Sequence, residues 1–197
     1  MEISRRKFLL STVVVGGGVL IAYSATRPSR HKLANADLAE GEERYITSYL
    51  KVMPNNEVTV YVPHTEMGQG VHTSLAMMAA DEMDAAWELV KIDQAPAIDL
   101  FANGNIVTGF AGEFGVPSFL MGLIGASSKA MAEIGNLQTT GGSASVRFTG
   151  ETGMRVAGAA AREMLIECAA NRWRVATDEC TTGLSYVQHN ASGRSLS

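Results

Sequence analysis

The alternation of apolar and polar positions divides the chain before any motif is read. Residues 8–23 form an apolar run that contains Gly16-Gly17-Gly18, and residues 27–43 are polar with no regular apolar period, which predicts a linker. From Arg44 the pattern becomes that of a folded domain. Tyr49-Leu50-Lys51-Val52 and Glu57-Val58-Thr59-Val60-Tyr61-Val62 flank the turn cluster Pro54-Asn55-Asn56 and predict a β-hairpin. Val58, Val60 and Val62 share one strand face, and Glu57, Thr59 and Tyr61 the other. A glycine-containing turn then leads into residues 74–87, where Leu75, Met78, Ala79 and Met83 trace a helical stripe away from Asp81, Glu82 and Asp84. Val90-Lys91-Ile92-Asp93 alternates as a strand and stops at Gln94-Ala95-Pro96.

Residues 97–137 show no sustained period, apart from a short helix predicted over residues 127–134. A bare loop carrying Phe101, Phe110, Phe114 and Phe119 would expose too much aromatic surface, so this segment is expected to lie against something else. Residues 151–173 predict a strong helix. Its Met154, Ala157, Gly158, Ala161, Leu165, Cys168 and Ala169 form a largely small-residue face suited to close packing. Thr181-Thr182-Gly183 reads as a turn and residues 184–187 as a strand. The fold class these elements predict is α+β, a mixed sheet with two main packed helices.

Length and composition narrow the function more than the fold. A chain of 197 residues accommodates one ordinary domain, and a net charge of −4 without a Lys/Arg-rich run argues against a nucleic-acid partner. Cys168 and Cys180 have no Cys or His neighbour at metal-ligand spacing, and Cys168, set in an apolar helical pattern, is expected to be a small buried hydrophobe.

The amino terminus carries a separate message. Ser4-Arg5-Arg6-Lys7-Phe8-Leu9 places paired arginines ahead of an apolar run too short and too glycine-rich for a permanent span, the layout of a secretion signal. It resembles a twin-arginine leader, which implies export of an already folded protein to the periplasm. An uncleaved membrane anchor is the competing reading, and both Ala22-Tyr23-Ser24 and Ala34-Asn35-Ala36 are small-x-small processing points. The predicted organisation is a signal over residues 1–26, a linker over 27–43 and a domain over 44–197, with membrane contact only through the leader.

Two glycine-rich turns lead into helices, and such turns present backbone N–H groups and the positive end of a helix, which suit a phosphate or a pterin edge. In the first, Gly68 and Gly70 permit close backbone approach while Gln69 supplies both a donor and an acceptor. In the second, Ser143, Ser145 and the surrounding N–H groups are candidates to surround a phosphate, with Arg147 adding charge. His64 and His72 lack an evident third metal ligand, so structural roles are expected and no metal ligand is assigned.

Thr65-Glu66-Met67-Gly68-Gln69-Gly70-Val71-His72-Thr73 and Thr140-Gly141-Gly142-Ser143-Ala144-Ser145-Val146-Arg147 resemble two segments of the molybdopterin-binding subunit of the xanthine dehydrogenase family. The resemblance is nearest to the exported branch of isoquinoline 1-oxidoreductase beta subunits and related aldehyde dehydrogenases. Gly158-Ala159-Ala160-Ala161-Arg162-Glu163-Met164-Leu165 and Ser192-Gly193-Arg194-Ser195-Leu196-Ser197 fit the same branch, in the family's order. The resemblance implies part of a molybdopterin-binding domain and a molybdenum cofactor, in a dinucleotide form. Gly68, Gln69 and Gly70 would contact the pterin; Gly142, Ser143, Ala144, Ser145 and Val146 would hold its pyrophosphate or nucleotide part. It also implies three kinds of partner: the remainder of the large subunit, a small 2Fe-2S subunit or a cytochrome c as electron acceptor, and a small-molecule substrate.

The family's catalytic Glu lies in a carboxy-terminal motif outside these residues, so Glu66 is not assigned as a general base and no catalytic residue is expected here. The chain is expected to be an amino-terminal portion, truncated or split, inactive alone and unable to retain the cofactor alone. A non-catalytic cofactor-binding or assembly module with the same fold is the alternative.

Overall fold

The computed structural model describes residues 28–197, so the leader lies outside the described residues. The β-rich runs form the expected hairpin inside a four-stranded mixed sheet of order β1-β2-β3-β4, built from β1 (Arg44–Tyr45), β2 (Leu50–Val52), β3 (Val58–Val62) and β4 (Val90–Gln94). Strands β1 to β3 pair antiparallel, while β3 and β4 run parallel with Val60 opposite Ile92. A parallel pair requires a crossover, and the helix between them supplies it.

The turn after β3 leads into α2 (Val71–Met83), whose buried Val71, Leu75, Ala76, Ala79 and Met83 confirm the predicted stripe. These side chains join Leu50, Val58, Val60 and Val62 in the main core. The other sheet face is covered at Tyr61, whose ring lies 5.8 Å from that of Tyr45 and 5.3 Å from that of Phe101. Valine alternation therefore located the core face, and the tyrosine marks where the opposite face is also covered.

The polar segment read as a linker contains α1 (Arg30–Asp37). Two tertiary features hold it there. The Asn35 side chain accepts from the Tyr45 N–H at 2.9 Å and donates to the Tyr45 carbonyl at 2.6 Å, and the Arg30 guanidinium pairs with the buried Glu133 at 2.9 Å. Neither contact leaves an apolar period in the sequence.

Residues 97–137 contain more helix than expected. After a short 3-10 turn at Asp99–Phe101, α3 (Asn105–Glu113) and α4 (Ser118–Ile134) pack together, so the predicted helix over residues 127–134 is the second half of a longer one. The second glycine turn opens directly into α5 (Ser143–Thr149), a π-turn (Gly150–Met154) and α6 (Arg155–Trp173). The helix expected from residue 151 thus belongs to a helical run that starts at Ser143. Gly150 and Gly153 do not break it: Gly150 is buried where a Cβ would strike the Met78 sulfur, and the π-turn accommodates the register change.

Helices α2 and α6 are the two main packed helices, touching where Gly158 lets the α6 backbone approach Ala79 and Glu82. Beyond α6, a three-stranded antiparallel sheet comprises β5 (Cys180–Gly183), β6 (Tyr186–His189) and β7 (Arg194–Leu196). The expected turn and strand there are shifted. Thr181 to Gly183 lie in β5, and the reversal occurs at Leu184-Ser185, with φ of 49° and 67°. A left-handed leucine is unfavourable, and Gly183 offered the stronger turn signal. Ser185 anchors the reversal by donating its N–H to the Asp84 carbonyl and accepting the Ala86 N–H at its hydroxyl. The expectation that Cys168 is buried also fails: it is exposed on α6, whereas Cys180 is buried in β5.

Candidate functional site

The two glycine turns, some seventy residues apart in sequence, meet beyond the carboxyl ends of the parallel strands β3 and β4, where open α/β sheets commonly bind ligands. The join is direct: the Thr65 N–H donates to the Thr140 hydroxyl at 3.0 Å. Pro63 is held from another side, its carbonyl accepting from the Asn103 amide at 3.0 Å, while Asn103 pairs along the chain with Gln138. Gln138 donates in turn to the Pro96 carbonyl at 2.6 Å, just past β4.

Within the first turn, Gly68 and Gly70 have φ of 96° and 71°, values that favour glycine, and a Cβ on Gly68 would meet nothing within 4 Å. Space beside the turn is therefore open. Its hydrogen-bond donors are not. The Glu66 carboxylate accepts the N–H groups of Gly68 at 2.8 Å, Gly70 at 3.0 Å and His72 at 3.3 Å, at the positive start of α2. Desolvation pushes its pKa up, but the hydrogen bonds from Gly70, His72 and Gly68 outweigh that and leave it lowered. Gln69 also folds back, accepting the Met67 N–H at 2.7 Å and donating to the Thr65 carbonyl at 2.9 Å. The first turn thus carries its own anion and its own amide.

The second turn is arranged oppositely. Gly142, with φ of 56° and ψ of −134°, heads α5 in a conformation that requires glycine, and a Cβ there would again meet nothing within 4 Å. The N–H groups of Gly142 and Ser143 find no partner among the described residues, and Ser143 is exposed. Ala144 and Val146 are half-buried. Ser145 points inward: it is fully buried and its hydroxyl accepts the Gly141 N–H at 2.7 Å, so it shapes the turn. Arg147, expected to add charge at this turn, is directed elsewhere. It pairs with Glu113 and lies over the Phe148 ring, 4.4 Å from the centroid.

His72 Nε2 lies 3.0 Å from the His64 carbonyl and 3.0 Å from the Gln94 amide oxygen, two acceptors that make this nitrogen the donor. His64 is fully buried, with Nε2 2.7 Å from the hydroxyl of the equally buried Thr149. Burial drives its pKa down to about 4, opposed by the Thr139 backbone and reinforced by His72. Among the described residues no group of three or more His, Cys, Asp and Glu is placed to hold a metal. Sequence reasoning did not single out Thr140, Thr149, Asn103 and Gln138 as site-shaping residues. Thr140 lay within a quoted motif, but a buried polar pair such as His64 and Thr149 has no local sequence signature.

A cavity of about 930 Å³ lies elsewhere, between α3, α4 and the α5–α6 run, with Arg30, Lys129, Arg147 and Phe148 among its walls. None of the eight residues of the two turns assigned to the cofactor lines it. The chemistry of the glycine turns and this concavity are therefore separate features.

Comparison with known proteins shows the family. Over 147 residues the chain is 32% identical to the isoquinoline 1-oxidoreductase subunit beta of Brevundimonas diminuta, covering 75% of this chain and 15% of that protein. Over all 197 residues it is 27% identical to the membrane-bound aldehyde dehydrogenase [pyrroloquinoline-quinone] of Gluconacetobacter polyoxogenes, of which it covers 20%. The chain thus spans no more than about a fifth of either relative's length. Residues 11–197 match the family described as "Molybdopterin cofactor-binding domain", and this chain belongs to that family.

Proposed function

We propose that this chain is the amino-terminal segment of an exported molybdenum hydroxylase large subunit that oxidises N-heterocycles or aldehydes. In this reading it contributes pterin and pyrophosphate contacts but not the catalytic Glu. The observation that carries it is the open second turn: unpartnered N–H groups on Gly142 and Ser143, and free space beside Gly142, suit a phosphate bound by backbone donors. The neighbouring Gly68-Gln69-Gly70 turn has the room for a flat pterin edge, with Gln69 and Glu66 fixing the backbone behind it. The bound group supplies the redox chemistry, oxidation of an electron-poor carbon with electrons passed on to iron–sulfur or haem partners.

The proposed partners are the remainder of the large subunit, a 2Fe-2S subunit or cytochrome c, and the small-molecule substrate. The first is supported by exposed aromatic surface on α3 and α4, where Phe114 and Phe119 are 83% and 81% exposed. The names of the two relatives support an N-heterocycle or an aldehyde as substrate.

The test is purification of the chain together with the remainder of its subunit from cells that make the cofactor, followed by molybdenum analysis and mass spectrometry of the released organic group. Molybdenum with a pterin is expected; a complex free of both, or one holding pyrroloquinoline quinone instead, would sink the reading. The chain alone is expected to lose the cofactor. The same cells test export: Arg5→Lys with Arg6→Lys should abolish delivery to the periplasm, and unchanged delivery would count against the twin-arginine leader.

A further inference from the structure

The geometry points to His64 as a positioning residue of the cofactor site: its buried ring staples α5, the helix that the second glycine turn opens, to the end of β3 through the Thr149 hydroxyl. The functional part of this inference rests on the cofactor reading above, while the staple stands on the structure alone.

Several polar contacts at the β3 exit reach the second turn or the elements that flank it. The His64 Nε2 sits 2.7 Å from the Thr149 hydroxyl, at the carboxyl end of α5. The Thr139 backbone, at the start of the turn, is the neighbour whose interaction favours the charged ring. The following residue, Thr65, donates its N–H to Thr140 at 3.0 Å, and the preceding one, Pro63, accepts from Asn103 at 3.0 Å. From the α2 side, His72 fixes the His64 carbonyl at 3.0 Å. Residues 63–65 therefore act as a short rail to which the second turn is fastened.

An imidazole is an expensive occupant for a fully buried position unless its polar atoms are used, since an apolar side chain would pack there without desolvation cost. The ring's observed use is at the carboxyl end of α5, the helix that the second turn opens. Nε2 is hydrogen-bonded to the Thr149 hydroxyl, while Nδ1 finds no hydrogen-bond partner among the described residues. Held in this way, Gly142 and Ser143, whose N–H groups have no partner among the described residues, keep a fixed place beside the first turn. Without the staple, the turn retains the Gly141 to Ser145 bond but loses its fixed relation to Gly68-Gln69-Gly70.

Thr149→Val removes the hydroxyl and keeps the shape. Loss of one buried hydrogen bond is expected to speed amide exchange at Gly141, Ala144 and Ser145 by about tenfold, with exchange at Val60 in β3 and Ala79 in α2 unchanged, and Thr149→Ser restoring protection. In the assembled subunit Thr149→Val should also release pterin about tenfold faster. Unchanged exchange at the three turn amides, or an equal rise at Val60 and Ala79, would overturn the staple. A second measurement needs no variant: the ring nitrogen spectrum of the unaltered chain at neutral pH should show a neutral ring with a hydrogen-bonded Nε2, and a charged ring or a free Nε2 would overturn the staple. Local exchange as expected in a wild-type assembled subunit that carries no pterin would remove the cofactor role while the staple itself held.

Discussion

At the residue scale, the site is governed by two ionisable side chains, His64 and Glu66, that both point to acid sensitivity. His64 is buried with a pKa of about 4, against an ordinary 6.5, because desolvation disfavours its charge. As pH falls below about 6.5 the unfolded chain takes up the proton first, so stability is fully present above that window, declines through it, and stops declining below about 4. At about 1.4 kcal/mol per unit, the full loss approaches roughly 3 kcal/mol. Glu66 acts in the same direction at lower pH: its folded pKa is lowered, so its contribution is present above the ordinary carboxylate value and lost as pH falls through the folded one. His64→Asn is therefore expected to reduce stability at pH 7 yet flatten the pH dependence between about 6.5 and 4, read as urea midpoints across that range. A slope identical to wild type would show that His64 does not carry it.

At the element scale, close approach of α2 and α6 decides what the small-residue face is for. A Cβ on Gly158 would lie 2.3 Å from the Ala79 carbonyl oxygen and 3.0 Å from the Glu82 Cβ, and a backbone oxygen yields only if a helix moves. Gly158→Ala gains about 1 kcal/mol of helix propensity but meets an overpacking cost of about 1–3 kcal/mol or more. A net loss is expected, with the thermal midpoint falling by several degrees. Gly122 in α4 is the control, since a Cβ there meets nothing within 4 Å and Gly122→Ala should raise the midpoint slightly. A rise for Gly158→Ala comparable to that of the control would contradict the packing argument. The same pair explains what could be read in advance. The valines of β3 and the stripe of α2 declared themselves because their periods coincide with burial. Helix α1 did not, because it is held by Asn35 pairing with the Tyr45 backbone and by Arg30 with Glu133, contacts between remote residues. In the site, the glycines located both turns. Which donors were already filled by Glu66 and Gln69, and that Arg147 turns to Glu113, depended on side-chain placement that no local pattern encodes.

At the scale of the molecule, the most telling feature is surface that an isolated fold does not need. The α3–α4 pair exposes Phe114 and Phe119 almost completely, with Leu123, Met131 and Ile134 also exposed on α4, although Phe110 packs edge-on against Phe148 beneath. The aromatic content of this segment already implied a covering partner, and in the structure the inner ring is satisfied while the outer ones are not. The chain matches no more than about a fifth of its relatives' length, and under the proposed function the remainder of the subunit is the expected cover. Phe114→Ser with Phe119→Ser should leave thermal unfolding of the chain alone within a degree or so, because neither ring contributes to its own core. Burying one such ring against a partner is worth about 1.5–3 kcal/mol, so the pair of substitutions should weaken association with the remainder of the subunit by at least about a hundredfold. Affinity measured between the separately produced pieces checks this, with Lys129→Ser on the same helix as a polar control expected to change little. Undiminished affinity in the double variant would assign the α3–α4 surface to some other contact. Weakened affinity with an unmoved unfolding midpoint would identify it as the face that docks against the remainder of the proposed subunit, because the rings would then matter to association and not to the fold of this chain.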